Sequence, residues 1–303
     1  MRIVFMGTPA FAVPSLERLA RDHDVALVVT RPDAVRGRGK RLEPSAVKAR
    51  ALELGLEVIE CTRMTDDVKA RLAEVDADAF CVAAFGCILP DDVLAMPRLG
   101  CVNVHASLLP RYRGAAPVQR AILAGDPIGV SIMAMAHDLD AGDYCAQATL
   151  DAEPDNVDVA FDQLGALGAD LLADALVAIQ DGSVNWVSQD PDLVTFAAKV
   201  TKAEMQLDPD FPALDNLRRV RASADAAPAR ALVGSKGVRV TAAKLGDKSL
   251  APGEVLVERG HVFLGCADGT LEPVRVKPDG KREMDASAWA AGLRGDGFEW
   301  RHV

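Results

Sequence analysis

An α/β domain with a mostly parallel sheet, followed by a smaller β-rich domain, is the fold class this sequence predicts. Three observations carry that expectation. Short apolar runs alternate with segments of helical spacing through the first two thirds of the chain. Near residue 189 the pattern changes to a Pro-punctuated stretch. From residue 233 onward come β-type runs separated by turns. At 303 residues the chain is long for one core and comfortable for two domains.

The elements follow in order. RIVFMG (2–7) is a β-type run ending in Gly, and FAVPSLERLARD after it has apolar residues at near-helical spacing. VALVVT (25–30), EVIEC (57–61), AFCVAAFG (79–86) and CVNVHAS (101–107) continue the strand series. Helical segments around 44–54, 66–74 and 115–124 lie between them. Strands alternating with helices predict a parallel sheet covered on both faces. GVSIMAMA (129–136) and YCAQATL (144–150) read as two more strands, and residues 159–182 as an amphipathic helix with a Gly stop. In the last third, GVRVTAAKL, PGEVLVERG and HVFLGCADGTLEPVRVKPDGK are β-type, and ADGT and PDGK carry Asp-Gly turn signals. The expected division is a first domain over 1–188, a linker over 189–206 and a small β-domain over 207–303.

Composition narrows the class. Apolar residues make up 50% and charged residues 26%, which predicts a globular chain. The longest strongly apolar run, residues 79–89, is too short to span a bilayer, and the start MRIVFMGTP has no long apolar segment, so a cytoplasmic protein is expected. Six cysteines without C-x-x-C spacing predict buried free thiols rather than a metal site. The net charge of −10 is uneven. Residues 1–201 hold 18 of the 34 Lys and Arg and 29 of the 44 Asp and Glu, leaving the remainder near neutral. A polyanionic partner therefore needs a local basic patch.

Four stretches carry candidate chemistry. In CVNVHAS, strand alternation points Asn103 and His105 to one face, where a parallel sheet is normally apolar. Two polar groups there are costly unless partnered. They also sit near the strand's C-terminal end, where open α/β sheets place ligands. HDLDAGD (137–143) puts Asp138, Asp140 and Asp143 in a turn between strands, and a carboxylate beside an imidazole orients it. RPDAVRGRGKRLEP (31–44) holds Arg31, Arg36, Arg38, Lys40 and Arg41 among glycines, a basic loop suited to a polyanion. GTPAF (7–11) follows the first strand, but Pro9 and Phe11 stand where a dinucleotide fingerprint needs glycines, which argues against such a cofactor.

Five motifs then occur in one order: FMGTPAFAVPSLE (5–17), GRGKRLEPSAVK (37–48), AAFGCILP (83–90), NVHASLLPRYRGAAPVQRAILAGD (103–126) and LDAGD (139–143). On these the chain resembles the 10-formyltetrahydrofolate-dependent formyltransferases, and within them those that act on methionyl-tRNA. The match is dense over the first two thirds and looser after. The resemblance implies a Rossmann-like catalytic domain and a small OB-like C-terminal barrel that contributes to tRNA binding. It implies Asn103, His105 and Asp140 as catalytic residues. It places the folate donor along Phe85, Gly86, Cys87, Ile88 and Leu89, along Ser107, Leu108, Leu109 and Pro110, and around Asp140. It implies tRNA contacts from Arg36, Arg38, Lys40 and Arg41. It calls for no metal, no membrane and a monomer.

The chemistry suits that assignment. An α-amino nucleophile must be neutral and must shed a proton after attack, which an imidazole can accept near neutral pH. Asn103 offers a neutral donor for the oxyanion. Ser107 is better suited to the donor-binding turn than to covalent catalysis. Two alternatives stand beside this reading: the same transfer to another amine, such as an amino sugar nucleotide, and a folate- or tRNA-binding protein without turnover. The chain departs from the family at 220–231, where alanines replace an aromatic, Pro-rich turn, and at 206–212, which lacks a Trp. Arg111 and Arg113 are expected either to position acceptor charges or to form structural ion pairs.

Overall fold

A computed structural model describes residues 1–36, 41–293 and 299–303. The chain forms two compact units. The first comprises Met1–Pro117, Ile128–Asp151 and Phe161–Ala197, and the second Val118–Pro127, Ala152–Ala160 and Ala198–Val303.

The first unit is built on strands β1 (Arg2–Gly7), β2 (Asp24–Thr30), β5 (Val58–Glu60), β6 (Ala79–Ala83), β7 (Cys101–His105), β9 (Gly129–Ala134) and β10 (Tyr144–Thr149). A short hairpin of β3 (Ala34–Arg36) and β4 (Arg41–Glu43), and a parallel pair of β8 (Arg113–Gly114) and β11 (Phe196–Ala197), stand apart from the sheet. Helices α1 (Val13–Asp22), α2 (Ala46–Glu53), α3 (Asp66–Val75), α4 (Asp91–Leu94) and most of α6 (Val157–Asp181) intervene, whereas α5 (Pro117–Ala124) belongs from Val118 onward to the second unit. The sheet order is β10-β9-β7-β6-β1-β2-β5. Strands β5, β2, β1, β6 and β7 are parallel, whereas β9 and β10 run antiparallel to their neighbours.

Sequence alternation explains the packing. The parallel strands bury both faces, and every residue of β6 is buried. On one face Val4, Met6, Phe80, Val82 and Cys101 pack with Leu72 and Val75 of α3 and Val93 of α4. On the other, α6 lies so close that a methyl group on Gly168 would stand 2.6 Å from Val104. Alternation therefore turns Asn103 and His105 with Cys101, away from α6. The amphipathic helix expected over 159–182 appears as Val157–Asp181, started by the Asn156 side chain accepting the Val159 N–H (2.9 Å) and stopped at Gly182, φ 77°. Among the described residues no helix is long and apolar enough to cross a membrane.

The second unit contains α7 (Ala213–Arg221), β12 (Arg230–Val233), β13 (Lys236–Leu245), β14 (Val255–Glu258), β15 (His261–Gly265), β16 (Thr270–Pro278), β17 (Met284–Asp285), α8 (Ala286–Ala290) and β18 (Trp300–Arg301). The sheet is antiparallel in the order β14-β15-β16-β13-β12-β18. A bridge between Glu254 and Glu299 brings its two edges together, so the β-domain expected from the sequence is a nearly closed barrel. The Asp-Gly turns fall where expected, after β15 and after β16. Four of the six alanines of 220–231 are packing residues: Ala222, Ala227, Ala229 and Ala231 are buried, whereas Ala224 is half-buried and Ala226 exposed. Trp300 fills the same core and donates its indole N–H to the Gly265 carbonyl (2.8 Å).

Candidate active site

The order of strands places a crevice at the carboxyl ends of β1 and β6, where the chain winds outward in opposite directions. At the end of β1, the Thr8 hydroxyl donates to the Phe85 carbonyl (2.9 Å). After β6 the chain enters the left-handed region twice, at Ala84 (φ 45°) and Gly86 (φ 77°). For an alanine that conformation costs about 1–2 kcal/mol and has to be held by its surroundings. The expected donor segment is thereby divided. Phe85 and Leu89 are buried, Cys87 is half-buried, and Ile88 is 85% exposed.

At the end of β7 the polar pair separates into two environments. Asn103 is half-buried, and among the described residues its side-chain amide has no hydrogen-bond partner. His105 is buried, and both ring nitrogens face oxygen. Nε2 lies 3.2 Å from the Tyr112 carbonyl, an acceptor only, so Nε2 carries the hydrogen. The lone pair of the neutral ring is then on Nδ1, 3.6 Å from Asp140 Oδ1. That distance is beyond a hydrogen bond, and the contact is electrostatic. Asp140 Oδ2 accepts the Gly114 N–H (2.8 Å), and Asp140 itself has φ 52°. The three residues singled out from the sequence thus gather at one strand end.

The loop between them is fastened by Ser107, named from the sequence, and by Ser131, Gln147, Gln189 and Thr195, which sequence reasoning missed. Ser107 donates to the Arg111 carbonyl (2.7 Å). Buried Ser131 of β9 donates to the Ser107 carbonyl (2.6 Å), accepts the Leu109 N–H (3.1 Å) and accepts from Gln147 (2.9 Å). Gln147 also donates to the Leu109 carbonyl (2.7 Å). Leu109 is buried and the Leu109–Pro110 peptide is cis. Thr195 accepts the Tyr112 N–H through its hydroxyl (2.9 Å) and the Arg113 N–H through its carbonyl (2.9 Å). Gln189 donates to the carbonyls of Asp140 (2.9 Å) and Gly142 (2.6 Å) and accepts from Arg113 (2.9 Å). A signal for Ser131 was available: a hydroxyl among buried apolar residues of a strand, the same anomaly that marked His105. Residues 189–197 read as part of a mixed, Pro-punctuated linker and gave no such signal.

Burial raises the pKa of thiols in the first unit, Cys61 and Cys87 beyond the strand ends and Cys101 at the start of β7. It pushes Cys101 up to about 12 and Cys61 up to about 11. At the rim His137 is hydrogen-bonded to Asp91 (2.9 Å), which raises its affinity for a proton and ties the 137–140 turn to α4. Of the basic-loop residues, Arg36 and Arg41 are backbone partners at the ends of β3 and β4, while Arg38 and Lys40 lie outside the described residues.

An amide, an imidazole and a carboxylate gathered at the carboxyl end of a mostly parallel sheet stand where such a fold binds its ligand, and the relatives of the chain are group-transfer enzymes. The chain belongs to the formyl transferase family, whose model matches residues 1–167 and whose C-terminal domain model matches 199–294. Among its relatives is the methionyl-tRNA formyltransferase of Thiobacillus denitrificans, 42% identical over 300 residues and covering 96% of both chains. The methionyl-tRNA formyltransferase of Methylobacillus flagellatus is 40% identical over 297 residues, again covering 96% of both. In fold the chain is similar to an N-formyltransferase from Helicobacter canadensis solved with folinic acid and dTDP-3-aminofucose (TM-score 0.67, 15% identity, 89% of this chain and 98% of that one).

Proposed function

We propose that this chain transfers the formyl group of 10-formyltetrahydrofolate to the α-amino group of methionine on initiator methionyl-tRNA, as a cytoplasmic monomer in translation initiation. The observation that carries the reading is the Asn103–His105–Asp140 group at the end of β7, in a chain about 40% identical to methionyl-tRNA formyltransferases over nearly its whole length.

His105 is the general base. Its Nδ1 accepts the proton that the amine sheds on attack, and the resulting imidazolium meets Asp140 on one side and the Tyr112 carbonyl on the other. That proton passes to the folate N10 as the formyl carbon–N10 bond breaks and tetrahydrofolate leaves. The Asn103 amide, having no partner among the described residues, donates to the charge that develops on the formyl oxygen. The folate donor occupies the crevice beside Phe85, Gly86, Cys87, Ile88 and Leu89 and the loop of Ser107, Leu108, Leu109 and Pro110. The buried members of these segments shape it through their backbones, and exposed Ile88 offers an apolar contact. Arg36, Arg38, Lys40 and Arg41 grip the phosphates of the acceptor end.

The test is direct. Purified chain, 10-formyltetrahydrofolate and charged initiator tRNA should yield formylmethionyl-tRNA, with little product from a charged elongator tRNA or an amino sugar nucleotide. Turnover on the sugar alone, or tRNA binding without transfer at any donor concentration, sinks the reading. His105→Ala should abolish transfer while the chain stays folded.

A further inference from the structure

We infer that Arg31 is a positioning residue for the donor: it fixes the turn at residues 84–86 from the far side of β1. Arg31 immediately follows β2, and β1 lies between β2 and β6. Its guanidinium nevertheless reaches the turn after β6, where Nη1 donates to the Gly86 carbonyl (2.7 Å). Its backbone N–H meets the Thr8 hydroxyl at 3.4 Å, the same hydroxyl that donates to the Phe85 carbonyl. Two consecutive carbonyls of the turn are therefore held from the ends of β1 and β2.

The turn needs that restraint. Ala84 and Gly86 both sit at positive φ, and the chain between them has no strand partner after Ala83. Arg31 is itself braced. Two residues on, the Asp33 N–H is held by Glu60 (3.1 Å), and Lys48 bridges the Asp33 and Glu60 carboxylates at 2.7 and 2.9 Å. The same brace stands at the base of the β3–β4 hairpin, so the hairpin and the donor turn share one support. The residue pattern gives no hint of this, because Arg31 reads as one more cation of the basic loop.

The inference rests on the proposed placement of the donor along residues 85–89, and the experiment separates the two. The full chain and its Arg31→Met and Arg31→Lys variants are titrated calorimetrically with 5-formyltetrahydrofolate, then assayed with 10-formyltetrahydrofolate and charged initiator tRNA. Arg31→Met should weaken folate binding and raise the donor KM by about five- to tenfold, the scale of one solvent-exposed hydrogen bond. The tRNA KM, kcat at saturating donor and the melting temperature should change little, and Arg31→Lys should restore part of the loss. Folate binding by Arg31→Met within twofold of the parent overturns the inference. So does a parallel rise in both KM values with a fall in melting temperature, which marks general structural damage. A parent chain that binds folate but formylates no methionyl-tRNA overturns the functional reading alone, and the titration still decides Arg31. A parent that binds no folate overturns both.

Discussion

Replacing Asp140 by Asn tests the electrostatics of the site with little change of shape. Asn tolerates the left-handed backbone that Asp140 adopts (φ 52°), and its amide oxygen can still accept the Gly114 N–H. What is lost is a unit charge 3.6 Å from His105 Nδ1. At an effective dielectric of about 20 the attraction to an imidazolium at that distance is roughly 4–5 kcal/mol. The proton is only partly transferred in the transition state, and the amide dipole replaces part of the field. About 2 kcal/mol of barrier should remain, or roughly a 30-fold fall in kcat. Single-turnover formyl transfer at saturating donor and methionyl-tRNA measures it, and a thermal melt of the same sample monitors folding. The neutral acceptor at Gly114 should cost no more than about 1 kcal/mol of stability. A rate within threefold of the parent refutes the charge argument. So does a rate loss that simply follows the unfolded fraction.

Three further substitutions probe other links. Asn103→Ala should lower kcat by about 10²–10³ with unchanged stability, because its amide has no partner to lose among the described residues; single-turnover kinetics beside a melt would reveal the opposite pattern. Gly142→Ala would put a methyl carbon 1.9 Å from the Ala134 carbonyl oxygen, so the turn carrying Asp140 must shift. A loss of about 1–3 kcal/mol in denaturant unfolding, with slower transfer, is expected. Glu204 is held down to about 2 by its hydrogen bond to Arg120 and by the Thr201 N–H and hydroxyl. Its pKa is depressed in the folded chain, so it stabilises above about pH 4.5 and stops doing so as pH falls toward 2. Since the carboxylate is 41% exposed, screening reduces its worth to about 1 kcal/mol. Glu204→Gln should therefore destabilise the second unit at pH 7 by that amount and not at all near pH 2, a difference that urea titrations at the two pH values would expose.

Legibility in the sequence followed physical scale. Strand alternation and helical spacing are local, so β1, β2, β6, β7 and α6 stand within a few residues of where the pattern puts them. Asn103 and His105 were visible because a polar pair is anomalous in a two-sided apolar strand. The β3–β4 hairpin was not, because its few residues are mostly exposed and carry no core pattern. Gln189 and Thr195 were invisible for a different reason. Their partners are distant in sequence and are mainly backbone groups, which every residue offers alike. The basic loop looked like a single cluster, yet Arg31 is engaged at the sheet end through the Gly86 carbonyl.

The strand pair of Arg113–Gly114 with Phe196–Ala197 also sets an order of assembly. Asn103, His105 and Asp140 emerge from the ribosome well before Thr195. Until Thr195 arrives, the hydrogen bonds that it accepts from the Tyr112 and Arg113 N–H groups are missing, and until Gln189 arrives the Asp140 turn lacks its clamp. A nascent or truncated chain ending near residue 185 would contain every residue of the proposed catalytic group and still lack an assembled catalyst. Assembly of the proposed catalytic group is thereby tied to the arrival of residues 189–195.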